Sequence, residues 1–310
     1  MISIGLLLFS FVLIWKSADY FVDSSYAIAL RFKVSPIVIG ATVVAFGTSA
    51  PELFVNMFAA VDQQAPIIYG NILGSNLANT MLILGSALLL APMAIAADFR
   101  QQLRINVLFT GIITVLLYNQ YVTRLSALLI LVFFIGFNML MFKKRPEEPN
   151  VQSSSEESNR RSWVMITGSF FGSLIGLVIS AKLLIYSLLQ TANFLGLSTV
   201  FLSLFAVALG TSLPELVSTI IFIKKGHTDM VVGNVFGSNV FNFMLVLPMS
   251  WMVFPLQMPS QLIVELMILL AVLLIIMLIS FFREKMSLFT GILLLLSYIL
   301  YVGFIYFRPI

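Results

Sequence analysis

Glu52 and Glu215 are carboxylates set deep in apolar sequence, and each opens the same pattern of hydroxyls and amides. The first copy reads Gly47-Thr48-Ser49-Ala50-Pro51-Glu52, then Gly70-Asn71-Ile72-Leu73-Gly74-Ser75-Asn76-Leu77-Ala78-Asn79. The second reads Gly210-Thr211-Ser212-Leu213-Pro214-Glu215, then Gly233-Asn234-Val235-Phe236-Gly237-Ser238-Asn239-Val240-Phe241-Asn242. One offset relates every pair (215 − 52 = 163, 242 − 79 = 163), and it also matches Ser17 with Ser180, Ser24 with Ser187, Ser35 with Ser198 and Met81 with Met244. An acid inside a membrane segment is costly and marks function by default. Duplicated at one register, it points to a repeat-built transporter with its site between the repeats.

The side chains on offer are all hard oxygen donors: carboxylate, amide carbonyl and hydroxyl. Such donors suit cations like calcium, which takes about 6–8 oxygens in flexible geometry. Cysteine is absent and His227, the only histidine, falls in a charged loop, where it is expected to be solvated; nothing selects zinc, copper or nickel. Two glutamates balance one divalent cation, and the same oxygens suit sodium. Ions that compete for shared ligands meet the physical requirement for exchange.

Local spacing gives a first arrangement. Ser49 and Thr48 lie three and four residues before Glu52, on one helix face, as do Ser212 and Thr211 before Glu215. Asn71, Ser75 and Asn79 form a polar stripe at i, i+4 and i+8, repeated by Asn234, Ser238 and Asn242. Pro51 and Pro214 lack an N–H and clash one turn back, so helices two and seven should break or kink there, freeing carbonyls near Ala45 to Gly47 and Ala208 to Gly210. Each glutamate then lies near the start of a new helical segment, where the helix N-terminus favours an anion. Gly70, Gly74, Gly233 and Gly237 flank the stripes and read first as helix-packing positions.

The elements that carry these residues follow from composition. The 310 residues are 60% hydrophobic and 10% charged with a mean hydropathy of +1.05. Soluble domains carry about 25% charged residues, so the chain is read as an all-α polytopic membrane protein. Apolar stretches of roughly 20 residues predict ten helices near residues 2–30, 36–61, 67–95, 103–119, 124–142, 163–192, 199–223, 229–255, 260–281 and 287–307. The apolar start without a basic leader reads as the first helix, not a cleaved signal. The domains are a first five-helix repeat over 1–142, a polar linker over 143–162 and a second repeat over 163–310.

Charge orients this arrangement. On a ten-span layout, 13 of the 17 basic residues fall on one side, including Lys143, Lys144, Arg145, Arg160, Arg161, Lys224 and Lys225. Arg124 and Arg308 fall on the other, and Lys16 and Lys182 lie within helices. The crowded side is cytoplasmic by the positive-inside rule, which puts both termini outside a cell (inner) membrane. Five is odd, so the second repeat enters from the opposite side, and the repeats are inverted. The basic balance needs no nucleic acid to explain it.

These motifs resemble those of the cation/calcium exchanger superfamily, and in particular its prokaryotic sodium/calcium exchangers. The resemblance covers the whole chain and rests on Gly-Thr-Ser-x-Pro-Glu followed by Gly-Asn-x-x-Gly-Ser-Asn-x-x-Asn, twice. It implies ten helices in two inverted five-helix repeats, with helices 2, 3, 7 and 8 forming a central ion site. It implies Glu52 and Glu215 as central cation ligands. Asn79, Asn242, Ser49, Ser212, Thr48, Thr211, Ser75 and Ser238 are implied as supporting ligands, with the carbonyls of Ala45 and Ala208 as further sodium ligands. It also implies that helices one and six slide against the other eight.

The implied activity is secondary antiport of sodium against calcium, without catalysis and without a cofactor; the partners are those two ions and the lipid bilayer. Nothing in the sequence sets the oligomeric state, and a monomer is compatible with it. Asn242 stands where the potassium-dependent branch and some prokaryotic members carry Asp, which argues against potassium dependence and removes one protonatable group. The linker has no room for a calcium-sensing domain. A proton/calcium antiporter stays open as the alternative, with a passive cation channel and an intramembrane enzyme further behind. Asp19 and Lys182 occupy equivalent positions in the two presumed sliding helices, where they either pair with each other or face water separately.

Overall fold

The computed structural model describes residues 2–32, 34–143, 162–194 and 207–307. Eleven helices run through them: α1 (Ile2–Phe32), α2 (Pro36–Thr48), α3 (Ala50–Val61), α4 (Ala65–Leu90), α5 (Ala97–Tyr118), α6 (Arg124–Lys143), α7 (Trp163–Phe194), α8 (Ala208–Lys224), α9 (Thr228–Val253), α10 (Ser260–Phe282) and α11 (Leu288–Phe307). Among the described residues six helices are long and apolar enough to cross a membrane, and a seventh span results if α2 and α3, bent by 46°, count as one. Membrane character is therefore plain, while that measure falls short of ten spans. Most of the linker lies outside the described residues, as do residues 199–206 of the seventh expected helix.

Proline ends two helices at equivalent places. Ala91 (φ −151°, ψ 115°) and Phe254 (φ −147°, ψ 117°) are extended, and each precedes a proline, Pro92 and Pro255. The proline ring clashes with a helical residue before it, so α4 stops at Leu90, short of residue 95 where hydropathy alone extended it. Beyond that stop, Met93–Ala94 (β1) pairs antiparallel with Lys285–Met286 (β2). α5 begins at Ala97, earlier than expected, because Phe99, Gln102 and Leu103 are buried by one face of its charged first turns.

The two long helices that correspond between the halves pack antiparallel. Phe32 meets Trp163 at 5.5 Å, Phe21 meets Phe170 at 5.1 Å, and Gly176 abuts the Ser17 hydroxyl. As the position rises in α1 it falls in α7. α9 instead lies along α2, where glycine permits backbone contact. A Cβ at Gly237 would stand 2.6 Å from Ala41 Cα, and one at Gly233 would stand 2.7 Å from the Ala41 nitrogen. Small residues at helix crossings are how membrane helices approach closely, so these two glycines do pack as their spacing predicts. The positions equivalent to Ile37 and Ala41, residues 200 and 204, lie outside the described residues.

π-helical turns interrupt otherwise α-helical segments at Gly40–Val44 in α2, Ala78–Ile83 in α4 and Asn242–Val246 in α9. Such turns shift side chains by one residue and concentrate at functional sites. Nothing in the hydropathy pattern announced them.

Candidate cation site

The prolines act differently in the two halves. Near Pro51 the helix bends at Ser49 (φ −84°, ψ 7°), and Glu52 lies in the first turn of α3. Pro214 sits inside α8, which runs unbroken from Ala208 to Lys224. The helix is thus not broken at Pro214, and Glu215 lies inside α8 and not near the start of a new segment. The carbonyls expected to be freed already have donors. Ala45 oxygen accepts the Ser49 N–H at 3.0 Å, and Ala208 oxygen accepts the Thr211 hydroxyl at 3.1 Å. Each also accepts a second, longer hydroxyl bond at 3.4 Å, Ala45 oxygen from Thr48 Oγ1 and Ala208 oxygen from Ser75 Oγ.

Glu52 and Glu215 are fully buried, as are Thr48, Thr211, Ser75, Ser238, Asn79 and Asn242, with Ser49 and Ser212 nearly so. Many of their hydrogen bonds cross between the halves. Ser49 Oγ donates to Glu215 Oε1 at 2.9 Å, and Ser212 Oγ donates to Glu52 Oε1 at 3.4 Å. Thr48 Oγ1 donates to Asn234 Oδ1 at 3.2 Å, and Thr211 Oγ1 to Asn71 Oδ1 at 3.1 Å. Ser238 and Thr48 hydroxyls lie 3.5 Å apart, Ser75 and Thr211 hydroxyls 3.3 Å apart. Ser238 Oγ also donates to Glu215 Oε1 at 3.3 Å. Exchanging the halves maps each of the first three pairs onto its partner. Ser49 and Ser212 share a face with the glutamate of their own half, but each bonds the glutamate of the other.

The asparagines cross as well. Asn79 Nδ2 donates to Asn239 Oδ1 at 3.1 Å, and Asn242 Nδ2 donates to Asn76 Oδ1 at 2.9 Å. Fixing the amide nitrogen in this way fixes which way the carbonyl of Asn79 or Asn242 points. Asn76 and Asn239 are thus positioning residues for the two asparagines singled out from the motif. They lie one residue off the predicted stripe. Their signal was present, since Ser-Asn occurs at both 75–76 and 238–239, but only the packing of α4 against α9 reveals it.

Two further residues were also missed: Asn56 accepts from Asn71 Nδ2 at 2.9 Å, and its equivalent Thr219 accepts from Asn234 Nδ2 at 3.3 Å. The symmetry fails at one point. Asn239 Nδ2 donates to Thr80 Oγ1 at 2.9 Å, whereas Phe243 stands at the position equivalent to Thr80 and Asn76 Nδ2 has no acceptor.

Four buried oxygens of this network accept no hydrogen bond: Glu52 Oε2, Glu215 Oε2, Asn79 Oδ1 and Asn242 Oδ1. Buried polar groups are almost always paired, so four unpaired acceptors on four motif residues call for a donor or a cation. No basic side chain supplies it: neither Glu52 nor Glu215 forms an ion pair among the described residues. A buried charge without a partner is strongly destabilising. The described residues hold no cluster of three or more His, Cys, Asp or Glu. The site therefore offers two carboxylates among neutral oxygens, a donor set for a hard cation.

Outside this centre, Trp251 is buried with its Nε1 donating to Tyr69 Oη at 3.0 Å, a packing role. His227 is half-buried and stacked on Tyr26 at 3.8 Å instead of merely solvated. Asp19 pairs with Lys225, in the turn after α8, and not with Lys182.

The family model described as sodium/calcium exchanger protein matches residues 2–143 and 165–307. The sodium/calcium exchanger MaX1 of Methanosarcina acetivorans is 30% identical over 81% of this chain and 83% of its own. The inner membrane protein YrbG of Escherichia coli is 30% identical over 82% of this chain and 81% of its own. A solved structure of the sodium-calcium exchanger NCX_Mj superposes with a TM-score of 0.83 at 27% identity, covering 98% of each chain.

Proposed function

The chain belongs to the sodium/calcium exchanger family, and from that premise we propose that it is a secondary antiporter that exchanges sodium for calcium by alternating access. The observation that carries this reading is the set of four buried, unpaired oxygens on Glu52, Glu215, Asn79 and Asn242. The two carboxylates balance one calcium ion. With the ion gone they need other cations before the site can cross the barrier, which couples calcium in one direction to sodium in the other. Ser49, Ser212, Thr48, Thr211, Ser75, Ser238 and the carbonyls of Ala45 and Ala208 complete the coordination, with no cofactor involved. Asn79 and Asn242 contribute neutral oxygens, so the site carries two charges and potassium is not required.

The architecture proposed with this function is ten membrane helices, α2 and α3 forming one, in two inverted repeats over 1–142 and 163–310 joined by the linker at 143–162. The antiparallel packing of α1 on α7, equivalent in the repeat, supports inversion. Inverted repeats place a site at their interface, near mid-membrane, where it can be opened to either side in turn. The basic residues assign the linker and Lys225 to the cytoplasm and the termini to the outside of the cell (inner) membrane.

Radiolabelled calcium uptake into sodium-loaded proteoliposomes tests this directly. Uptake is expected to require the outward sodium gradient, to ignore potassium and to survive a proton ionophore. Glu52→Gln and Glu215→Gln are each expected to abolish it in folded protein. Uptake driven only by a proton gradient would move the chain to proton/calcium antiport, and flux without any counter-gradient would make it a channel.

A further inference from the structure

The turn that closes α8 holds one face of α1. Lys224 Nζ lies 4.8 Å over the Trp15 ring, Lys225 Nζ lies 2.6 Å from Asp19 Oδ1 and 2.7 Å from Asp23 Oδ1, and His227 stacks on Tyr26. Trp15, Asp19, Asp23 and Tyr26 recur every three or four residues and so share a face.

The turn that closes α3 has the same form, residue for residue. Asp62 N–H donates to Phe58 oxygen at 3.0 Å and Gln64 N–H to Ala59 oxygen at 2.8 Å. Lys225 N–H donates to Ile221 oxygen at 3.0 Å and His227 N–H to Phe222 oxygen at 2.8 Å. The residue between is left-handed in both, Gln63 at φ 55° and Gly226 at φ 77°. Asp62 therefore occupies the place of Lys225, and Lys182 on α7 occupies the place of Asp19. The charges are reversed in both members, so each pair remains attractive.

Only one pair is made. Lys182 and Asp62 are exposed and form no ion pair among the described residues. The flanking helices differ in the same sense. Val217 and Ile221 of α8 are 7% and 3% exposed, while their equivalents Phe54 and Phe58 of α3 are 49% and 64% exposed. A cleft of about 320 Å³ lies there, lined by Pro51, Phe54, Val55, Phe58, Val178 and Lys182.

We propose that these are two alternating ionic latches. Lys225 with Asp19 and Asp23 holds α1 against α8 in the state described, and Lys182 with Asp62 holds α7 against α3 in the opposite state. The inference rests on the antiport reading, since a transporter of inverted repeats reaches its second state by rocking one part against the other around a fixed site. Swapping the conformations of the halves turns each contact into its equivalent 163 residues away. The second latch is the weaker. Tyr186 replaces Asp23 at the equivalent position, so Asp62 meets one charge and one hydroxyl where Lys225 meets two carboxylates.

The chain has no cysteine, so paired thiols can be introduced into the full protein without background. Asp19→Cys with Lys225→Cys, and separately Asp62→Cys with Lys182→Cys, are treated in proteoliposomes with a short bifunctional thiol reagent across a range of sodium and calcium concentrations. Both pairs are expected to cross-link, and ion conditions that raise the yield of one should lower that of the other several-fold. Failure of the Asp62/Lys182 pair to cross-link in any condition, or yields that rise and fall together, overturns the latches. This readout does not need transport. Loss of sodium-driven calcium uptake by the unmodified chain would instead overturn the antiport reading. Where a cysteine pair does not fold, charge reversal serves: Asp62→Lys should slow exchange several-fold and Asp62→Lys with Lys182→Asp should restore it, and a double variant as slow as the single refutes the pairing.

Discussion

Removal of the Asn239 side chain should weaken calcium binding although Asn239 is not proposed as a ligand. In the structure its Oδ1 accepts from Asn79 Nδ2 at 3.1 Å and its Nδ2 donates to Thr80 Oγ1 at 2.9 Å. Asn239→Ala leaves Asn79 Nδ2 buried without an acceptor and frees the amide to turn, which takes Asn79 Oδ1 out of its fixed orientation. A buried donor left unsatisfied costs about 1–3 kcal/mol. The cost falls on the calcium-bound state to the extent that the Asn79 carbonyl is used there. At 1.4 kcal/mol per decade, the half-saturating calcium concentration should rise by roughly fivefold to just over a hundredfold. The assay is initial-rate calcium uptake into sodium-loaded proteoliposomes over a calcium series. Asn76→Ala should act alike through Asn242, whose Nδ2 it holds at 2.9 Å. Asn106→Ala is the control, since it removes a buried amide bonded to Phe236 oxygen at 2.7 Å outside the network. It should lower thermal stability and leave calcium half-saturation alone. Half-saturation within twofold of wild type in both Asn76→Ala and Asn239→Ala would refute the positioning argument.

Two predictions concern the frame around the site. Gly237→Ala puts a Cβ 2.6 Å from Ala41 Cα, and overpacking of this kind costs about 1–3 kcal/mol. The thermal midpoint in detergent should fall by several degrees, and an unchanged midpoint would show that α9 does not rest on α2 there. Burial lowers the pKa of His227 below its ordinary 6.5, with Lys225 adding to the shift and Asp23 opposing it. A base with a depressed folded pKa contributes stability that is present above its unfolded value and lost as pH falls through the folded one. Stability should therefore drop as pH falls below 6.5, and His227→Phe should remove that part of the slope. Parallel profiles for the two proteins would exclude His227 as the cause.

Much of the chain could be read without a structure. Glu52 and Glu215 were legible because an acid in apolar sequence has few bland explanations, and a constant offset of 163 exposed the duplication. Helix positions followed from hydropathy, with Pro92 and Pro255 sharpening the ends that hydropathy blurred. The oxygen chemistry of the site followed from residue types alone.

Tertiary structure decided who meets whom. Spacing of three or four places Ser49 beside Glu52 on one helix, yet its bond goes to Glu215, 166 residues away. Local periodicity reports which side chains share a face, and only the crossing of distant helices reports what that face touches. Asn76 and Asn239 were hidden for the same reason, as were the π-helical turns, which depend on how the helices pack. Two equal prolines behaved differently, α2 and α3 parting before Pro51 while α8 runs through Pro214. The repeat made the halves equivalent in sequence. Of the two reversed charge pairs only that of Lys225 with Asp19 and Asp23 is closed among the described residues, an asymmetry that a sequence symmetric in its motifs does not announce.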